Sequence, residues 1–204
     1  MNFKYLKVTF IAMLFPFSSI VNVANAGLIT QWADTVINFS SEYSNTAWSA
    51  NQVLGAPNTF SYGDIITAWA PSSKNGTLEF ITVGYNTAVY ASGAVIRETL
   101  GNGFVTQIDV LDTLNSLHTV WLGTDISTDN IPFDFVVNWT QTNFLVKGLK
   151  IYLTTQNNTG WEEIDAIQLR GISGITTNIP EPSTLTIFVL GMVGLTSRRL
   201  NKYF

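Results

Sequence analysis

The 204-residue chain has no cysteine and one histidine, His118. The absence of cysteine excludes disulfides and thiol chemistry. A zinc site is improbable too, because zinc is usually bound by several cysteine and histidine side chains. No serine lies in a Gly-x-Ser-x-Gly pattern, the usual setting of a hydrolase nucleophile. His118 lies in a strand-like run, where we expect a packed or half-exposed residue. Carboxylates are therefore the remaining candidates for catalysis.

Positive charge is also scarce in the central part of the chain. Residues 27–178 contain thirteen acidic residues and only five basic ones, an excess of eight negative charges. The five basic residues are Lys74, Arg97, Lys147, Lys150 and Arg170. Because nucleic-acid binding depends on clustered basic residues, we expect no nucleic-acid partner.

Residues 1–26 have the pattern of a secretory signal peptide. Lys4 and Lys7 precede an apolar run, and the segment ends in Ala24-Asn25-Ala26, whose small residues suit a signal peptidase. The alternative is a membrane anchor, but the run is shorter than the roughly 20 residues that cross a bilayer. We predict a signal helix that is removed after Ala26.

Residues 179–204 have the pattern of a sorting tail. Pro180, Glu181 and Pro182 precede a short apolar segment, and Arg198 and Arg199 follow it. This arrangement resembles the PEP-CTERM signal of certain Gram-negative bacteria, which implies recognition by an exosortase. The apolar segment predicts a short helix that anchors the protein transiently in the inner membrane, with the arginines on the cytoplasmic side. The alternative is a permanent tail anchor.

Apolar residues of the central segment, 27–178, recur with a period of two, which indicates β-strands. Turn residues separate the strand-like runs, and a helical turn is expected within Ala47–Leu54. The runs are Thr35–Phe39, Leu78–Tyr85, Ala94–Thr99, Val105–Leu111, His118–Leu122, Phe133–Trp139, Leu149–Leu153 and Ile164–Leu169. This spacing predicts an all-β antiparallel sandwich or jelly roll.

Four segments of the central region occur in an order that resembles a known module. They are Trp48–Pro71, Val89–Leu100, His118–Gly123 and Gly160–Gly171. Together they are similar to the scarf domain first named from the metalloprotease pappalysin, a galactose-binding-like jelly roll. The resemblance implies a fold and no particular activity, because this fold carries many functions.

Acidic residues cluster at Glu162, Glu163 and Asp165. On a strand, Glu163 and Asp165 face the same side, and Glu162 faces the other. They could be solvated acids at a strand end, an acid–base pair for glycan cleavage, or ligands of Ca²⁺. The resemblance implies that a cation would lie between an early loop and Glu163.

The residues that match this cation site are Leu54, Asn58, Thr59 and Glu163. Backbone carbonyls and hard oxygen ligands would suit Ca²⁺ better than Mg²⁺. The loop lacks the aspartate often found there, which lowers the expected affinity.

Two aromatic residues lie in turn-rich segments, where such folds bind ligands. These are Tyr62 and Trp161, our candidates for contact with a sugar, whereas the other tryptophans are expected in the core. We also expect Arg97 and Glu98 to form an ion pair.

These patterns predict a non-enzymatic protein of the cell envelope or the extracellular biofilm matrix. Its β-sandwich would act as a binding or adhesion module, with an extracellular polysaccharide or envelope glycan as partner. The alternative function is a glycan hydrolase or lyase that uses Glu163 and Asp165.

Overall fold

The computed structural model describes residues 27–156 and 160–174. Within these ranges the chain forms one 3₁₀ turn, Ala50–Val53, and eight strands. The strands are β1 Leu28–Trp32, β2 Thr35–Phe39, β3 Leu78–Leu100, β4 Val105–Asp112, β5 Leu117–Leu122, β6 Phe133–Asn138, β7 Leu145–Thr154 and β8 Glu163–Ser173. The predicted signal helix and tail helix lie outside the described residues. None of the described helical segments is long and apolar enough to cross a membrane.

Strand β3 organises the sheet because it pairs with four other strands. Its first half pairs with β2 and β7, and its second half pairs with β6 and β8, always antiparallel. Between Gly84 and Val89 the register with β7 shifts, and this irregularity separates the two halves. β1 extends the sheet beyond β8, while β4 and β5 extend it beyond β7.

One hydrophobic cluster receives side chains from both halves of the sheet. Ile81 and Val83 come from the first half of β3, and Ala94 and Ile96 come from the second half. The partner strands β7 and β8 add Leu149, Ile151, Ile167 and Leu169. The sheet therefore packs against itself as an antiparallel β-sandwich, which confirms the predicted fold class.

The predicted strand-like runs fall within these strands to within one residue. Two differences stand out. The runs Leu78–Tyr85 and Ala94–Thr99 are parts of one strand, because small and polar residues at its register shift interrupt the alternation without ending the pairing. β1 escaped prediction because its side chains are exposed or only half-buried, so its hydrophobic pattern is weak.

Gly148 of β7 lies where the backbones of two strands approach closely. A Cβ atom there would lie 2.7 Å from the carbonyl oxygen of Val83. We expect Gly148→Ala to lower the melting temperature of the full chain by several degrees, since overpacking costs about 1–3 kcal/mol.

Thermal unfolding followed by circular dichroism measures this effect. Gly160→Ala is the control, because a Cβ atom there would have no heavy atom within 4 Å. Equal melting temperatures for the two variants would contradict the close approach.

Candidate functional site

A small pocket opens between the loop after β2, the segment before β3, and the start of β8. Its volume is about 40 Å³. Its lining consists of Tyr43, Trp48, Asp64, Ala70, Trp161 and Glu163. Aromatic rings and carboxyl groups thus share one concave surface at the loops of the sandwich.

Backbone hydrogen bonds hold the loops of this pocket to β8 and to each other. Trp69 donates its N–H to the carbonyl of Ile164 at 2.8 Å, and Ile164 donates back at 3.0 Å. The N–H of Trp48 donates to Ile66 at 3.1 Å, and the N–H of Ala70 donates to Trp48 at 3.3 Å. These bonds fix the positions of the lining residues.

Trp48 has a backbone φ of 51°, which is rare for a bulky side chain. Such a conformation persists only where the surrounding structure enforces it, and strained residues of this kind concentrate at ligand sites. The strain at Trp48 therefore supports the pocket as a functional site.

Three aromatic rings form the walls of the pocket. The ring of Tyr43 lies 5.4 Å from that of Trp48 and 5.3 Å from that of Trp161, both edge to face. The Nζ atom of Lys74 lies 5.0 Å from the centre of the Trp161 ring. Because the rings contact one another, their orientations are set before a ligand arrives.

Glu163 provides a fully buried carboxyl group in the pocket lining. Its Oε2 accepts a hydrogen bond from the N–H of Ile65 at 3.3 Å. Burial, together with the neighbouring Asp64 carboxylate, raises the pKa of Glu163 to about 8, so it holds a proton at neutral pH.

Several polar atoms of the pocket residues have no hydrogen-bond partner among the described residues. They are Glu163 Oε1 and the indole Nε1 atoms of Trp48 and Trp161. Buried polar atoms normally have partners, so unpaired donors and acceptors in one pocket suit a polar ligand.

Asp165 has partners other than those of Glu163. Its Oδ2 accepts hydrogen bonds from the N–H groups of Asn58 at 3.1 Å and Thr59 at 3.2 Å. The predicted calcium loop thus presents N–H donors to Asp165, whereas Glu163 contacts Ile65 and Asp64. These contacts do not favour Ca²⁺ at Leu54, Asn58, Thr59 and Glu163, where the cation stays a prediction.

Trp161 lies in the pocket lining, whereas Tyr62 has a different setting. The hydroxyl of Tyr62 donates to Asp129 Oδ1 at 2.8 Å and accepts from the N–H of Gly101 at 3.2 Å. Tyr62 thereby links three loops. The structure separates the two predicted ligand-binding aromatics.

The structure also tests the predictions for His118 and for the pair Arg97 and Glu98. His118 lies half-exposed in β5 beside Asp112, with 2.9 Å between Nε2 and Oδ2, which confirms its expected placement. The expected pairing of Arg97 with Glu98 is wrong, because Arg97 pairs across the sheet with Asp134 at 2.9 Å. Glu98 is fully buried and accepts from the N–H of Gly103 at 3.0 Å.

The acidic residues at 162–165 are not solvated acids at a strand end, which was one of the three alternatives for this cluster. Glu162, Glu163 and Asp165 are each at most 1% exposed. Burial raises the pKa of Glu162 to about 7. These acids are therefore costly in their ionised form.

A family model described as "Pappalysin-1, SD scarf domain, C-terminal" matches residues 22–177. The chain belongs to this family. A second model, of the PEP-CTERM protein-sorting motif, matches residues 178–200. That motif indicates an exported, sorted protein and implies processing by an exosortase.

Solved structures similar to this scarf-domain chain share its fold at low sequence identity. The family 32 carbohydrate-binding module of C. perfringens NanJ, solved with galactose, has 18% identity and a TM-score of 0.51, over 70% of this chain and 99% of that one. Chitosan-binding module 1 of a Paenibacillus sp. IK-5 chitosanase/glucanase has 15% identity and a TM-score of 0.50, over 68% and 96%.

The lectin-binding domain of lectinolysin, solved with Lewis b, has 10% identity and a TM-score of 0.51, over 69% of this chain and 93% of that one. These similarities establish the galactose-binding-like fold of the scarf domain. A search of curated proteins found no match.

Sequence reasoning identified Trp161 and Glu163 but not the rest of the pocket. Tyr43, Trp48 and Asp64 come from loops about one hundred residues earlier in the chain, and long-range contacts such as the Trp69–Ile164 pairing bring them to the start of β8. A tryptophan among turn residues at position 48 was the available signal, and it resembles an ordinary core position.

Because the scarf domain buries carboxyl groups, we expect its free energy of unfolding to fall as the pH rises. Burial, reinforced by the neighbouring Asp125, raises the pKa of Glu98 from 4.5 to about 10. The native state therefore retains a proton that the unfolded chain loses above its ordinary pKa. This contribution to the free energy of unfolding is complete below about pH 4.5 and declines as pH rises towards about 10.

Urea unfolding of the full chain at about pH 6 and pH 9 measures the decline, up to about 1.4 kcal/mol per pH unit for one group. We expect Glu98→Gln to show a shallower decline and to be more stable relative to the parent at the higher pH. An unchanged pH dependence in Glu98→Gln would contradict a proton on the native Glu98.

Proposed function

We propose that this exported protein is a non-enzymatic glycan-binding module of the cell envelope or extracellular matrix of a Gram-negative bacterium. Signal peptidase and an exosortase process its two ends, and the tail anchors it transiently in the inner membrane. The pocket of Tyr43, Trp48, Asp64, Trp161 and Glu163 is the observation that carries the proposal. The ligands named for similar folds, galactose and chitosan among them, support a carbohydrate as its occupant.

The pocket's dimensions fix how a sugar would bind. A volume of about 40 Å³ holds a few water-sized groups and not a whole sugar ring. The ring would therefore lie at the mouth against the aromatic walls, and one or two of its substituents would enter. The unpaired indole N–H of Trp161 would donate to a sugar oxygen, and Glu163 Oε1 would accept.

The alternative function, glycan cleavage by Glu163 and Asp165, has less support. Asp165 is engaged by two backbone N–H groups, and Glu163 contacts Asp64 instead. In glycosidases the two carboxyls lie about 5–9.5 Å apart, on either side of the bond that breaks. Of the two candidate carboxyls, Glu163 lines the pocket and Asp165 does not, so they do not share one ligand-accessible surface there.

A glycan array probed with the full chain, with and without Ca²⁺, tests the binding function. We expect glycan binding without cleavage. Trp161→Ala should weaken binding about tenfold or more, because it removes an aromatic contact surface. Tyr62→Phe is the control, since its hydroxyl bonds lie outside the pocket. Equal binding by Trp161→Ala and the parent, or turnover of the bound glycan, would contradict the proposal.

The sorting tail predicts a processed C-terminus. Mass spectrometry of the exported protein should find a C-terminus near Glu181–Pro182, because we expect an exosortase to act at the sorting motif in residues 178–200. Replacement of Pro180, Glu181 and Pro182 by alanine should leave the tail attached. An exported parent protein that retains Arg198, Arg199 and Phe204 would contradict processing and favour a permanent anchor.

A further inference from the structure

The pocket combines two carboxyl groups with little compensating positive charge. Asp64 and Glu163 both line it, and neither forms an ion pair within the described part of the chain. Lys74 is the nearby cation, but it contacts the ring of Trp161 and pairs with neither carboxyl. The pocket is therefore electrostatically suited to a positive group.

Glu163 adds an unmet hydrogen-bond requirement. Its side chain is fully buried, and Oε1 has no hydrogen bond of good geometry, although the indole of Trp48 lies beside the carboxyl. The Asp64 carboxyl beside it is another acceptor, so the two groups satisfy each other only when one holds a proton. A ligand with several N–H donors and a positive charge would replace that proton and bond to both carboxyls.

The walls of the pocket favour the same kind of group. Aromatic ring faces attract cations, and Tyr43, Trp48 and Trp161 surround the pocket. The Lys74 ammonium at 5.0 Å from the Trp161 ring centre occupies this type of position already. The volume of about 40 Å³ accommodates an ammonium group.

We infer that the pocket binds the protonated amine of an amino sugar that carries no acyl group, with Asp64 and Glu163 as acceptors inside three aromatic walls. This inference rests on the proposed glycan-binding function and narrows its ligand class. The sugar ring would lie across the mouth, as proposed above, with its amine directed to Glu163.

Titration calorimetry of the full chain at about pH 6, where a sugar amine is protonated, tests the inference. The probes are three β-1,4-linked hexamers of glucosamine, N-acetylglucosamine and glucose. We expect the glucosamine hexamer to bind at least about tenfold more tightly than the other two. Added salt should weaken this binding, because charge attraction contributes to it.

Matched variants locate the effect. Glu163→Gln and Asp64→Asn should each remove most of the preference for glucosamine. Because Asp64 is exposed, its replacement leaves the fold intact even if Glu163→Gln unfolds. Glu162→Gln is the control, since Glu162 is the buried neighbour of Glu163 and does not line the pocket.

Each contrary outcome has a distinct meaning. Equal binding of the three hexamers, or preference for the acetylated one, would overturn the amine inference and leave glycan binding standing. Binding of a lysine-rich peptide but of no hexamer would also overturn it, in favour of a protein partner. Absence of binding to every hexamer and to the whole glycan array would overturn both proposals.

Discussion

The pairing of β3 with four other strands is the constraint on which the structure depends. A strand of 23 residues exposes two edges of backbone N–H and C=O groups, and all that are buried need partners. β2 and β7 supply them for the first half, and β6 and β8 supply them for the second. Because β3 belongs to both layers, the sandwich acquires one continuous core without disulfides. The same pairing sets Glu163 opposite Leu100, next to the loops that carry the pocket.

This arrangement concentrates buried carboxyls where β3 ends and β8 begins. Glu98, Glu162, Glu163 and Asp165 are all nearly inaccessible to solvent. A domain selected for stability alone would bury apolar side chains at such positions, since unpaired buried acids are unfavourable. Asp165 has a structural explanation, because it fixes the Asn58–Thr59 loop. Glu163 accepts a single backbone hydrogen bond, from Ile65, and its other carboxyl oxygen is left for a ligand in the pocket.

The sequence allowed the fold to be predicted more completely than the site. Strands alternate in hydrophobicity, so a local pattern of five or six residues was enough to locate β2, β4, β5 and β8. The continuity of β3 was not visible, because backbone pairing with β7 and β8 spans its irregular middle. The site depends on long-range contacts, because the segment at Trp69 pairs with β8 and places Tyr43 and Trp48 beside Trp161. The sequence shows the acidic residues at 162–165 as a cluster. Their burial depends on how distant loops cover them, which no local sequence pattern predicts.

The pocket is organised before binding, and this affects the affinity it can reach. Association loses affinity when side chains and loops must be ordered at the interface. Here the strained backbone of Trp48 is held by hydrogen bonds to Ile66 and Ala70, and Tyr43 contacts both tryptophan rings. The conformational entropy of these residues is lost when the domain folds, and burial of the hydrophobic core offsets that loss. A shallow pocket on a rigid sandwich can therefore recognise one substituent of a sugar with few contacts. Repeated units of a polysaccharide would add to such binding through multivalency when many copies lie on one surface.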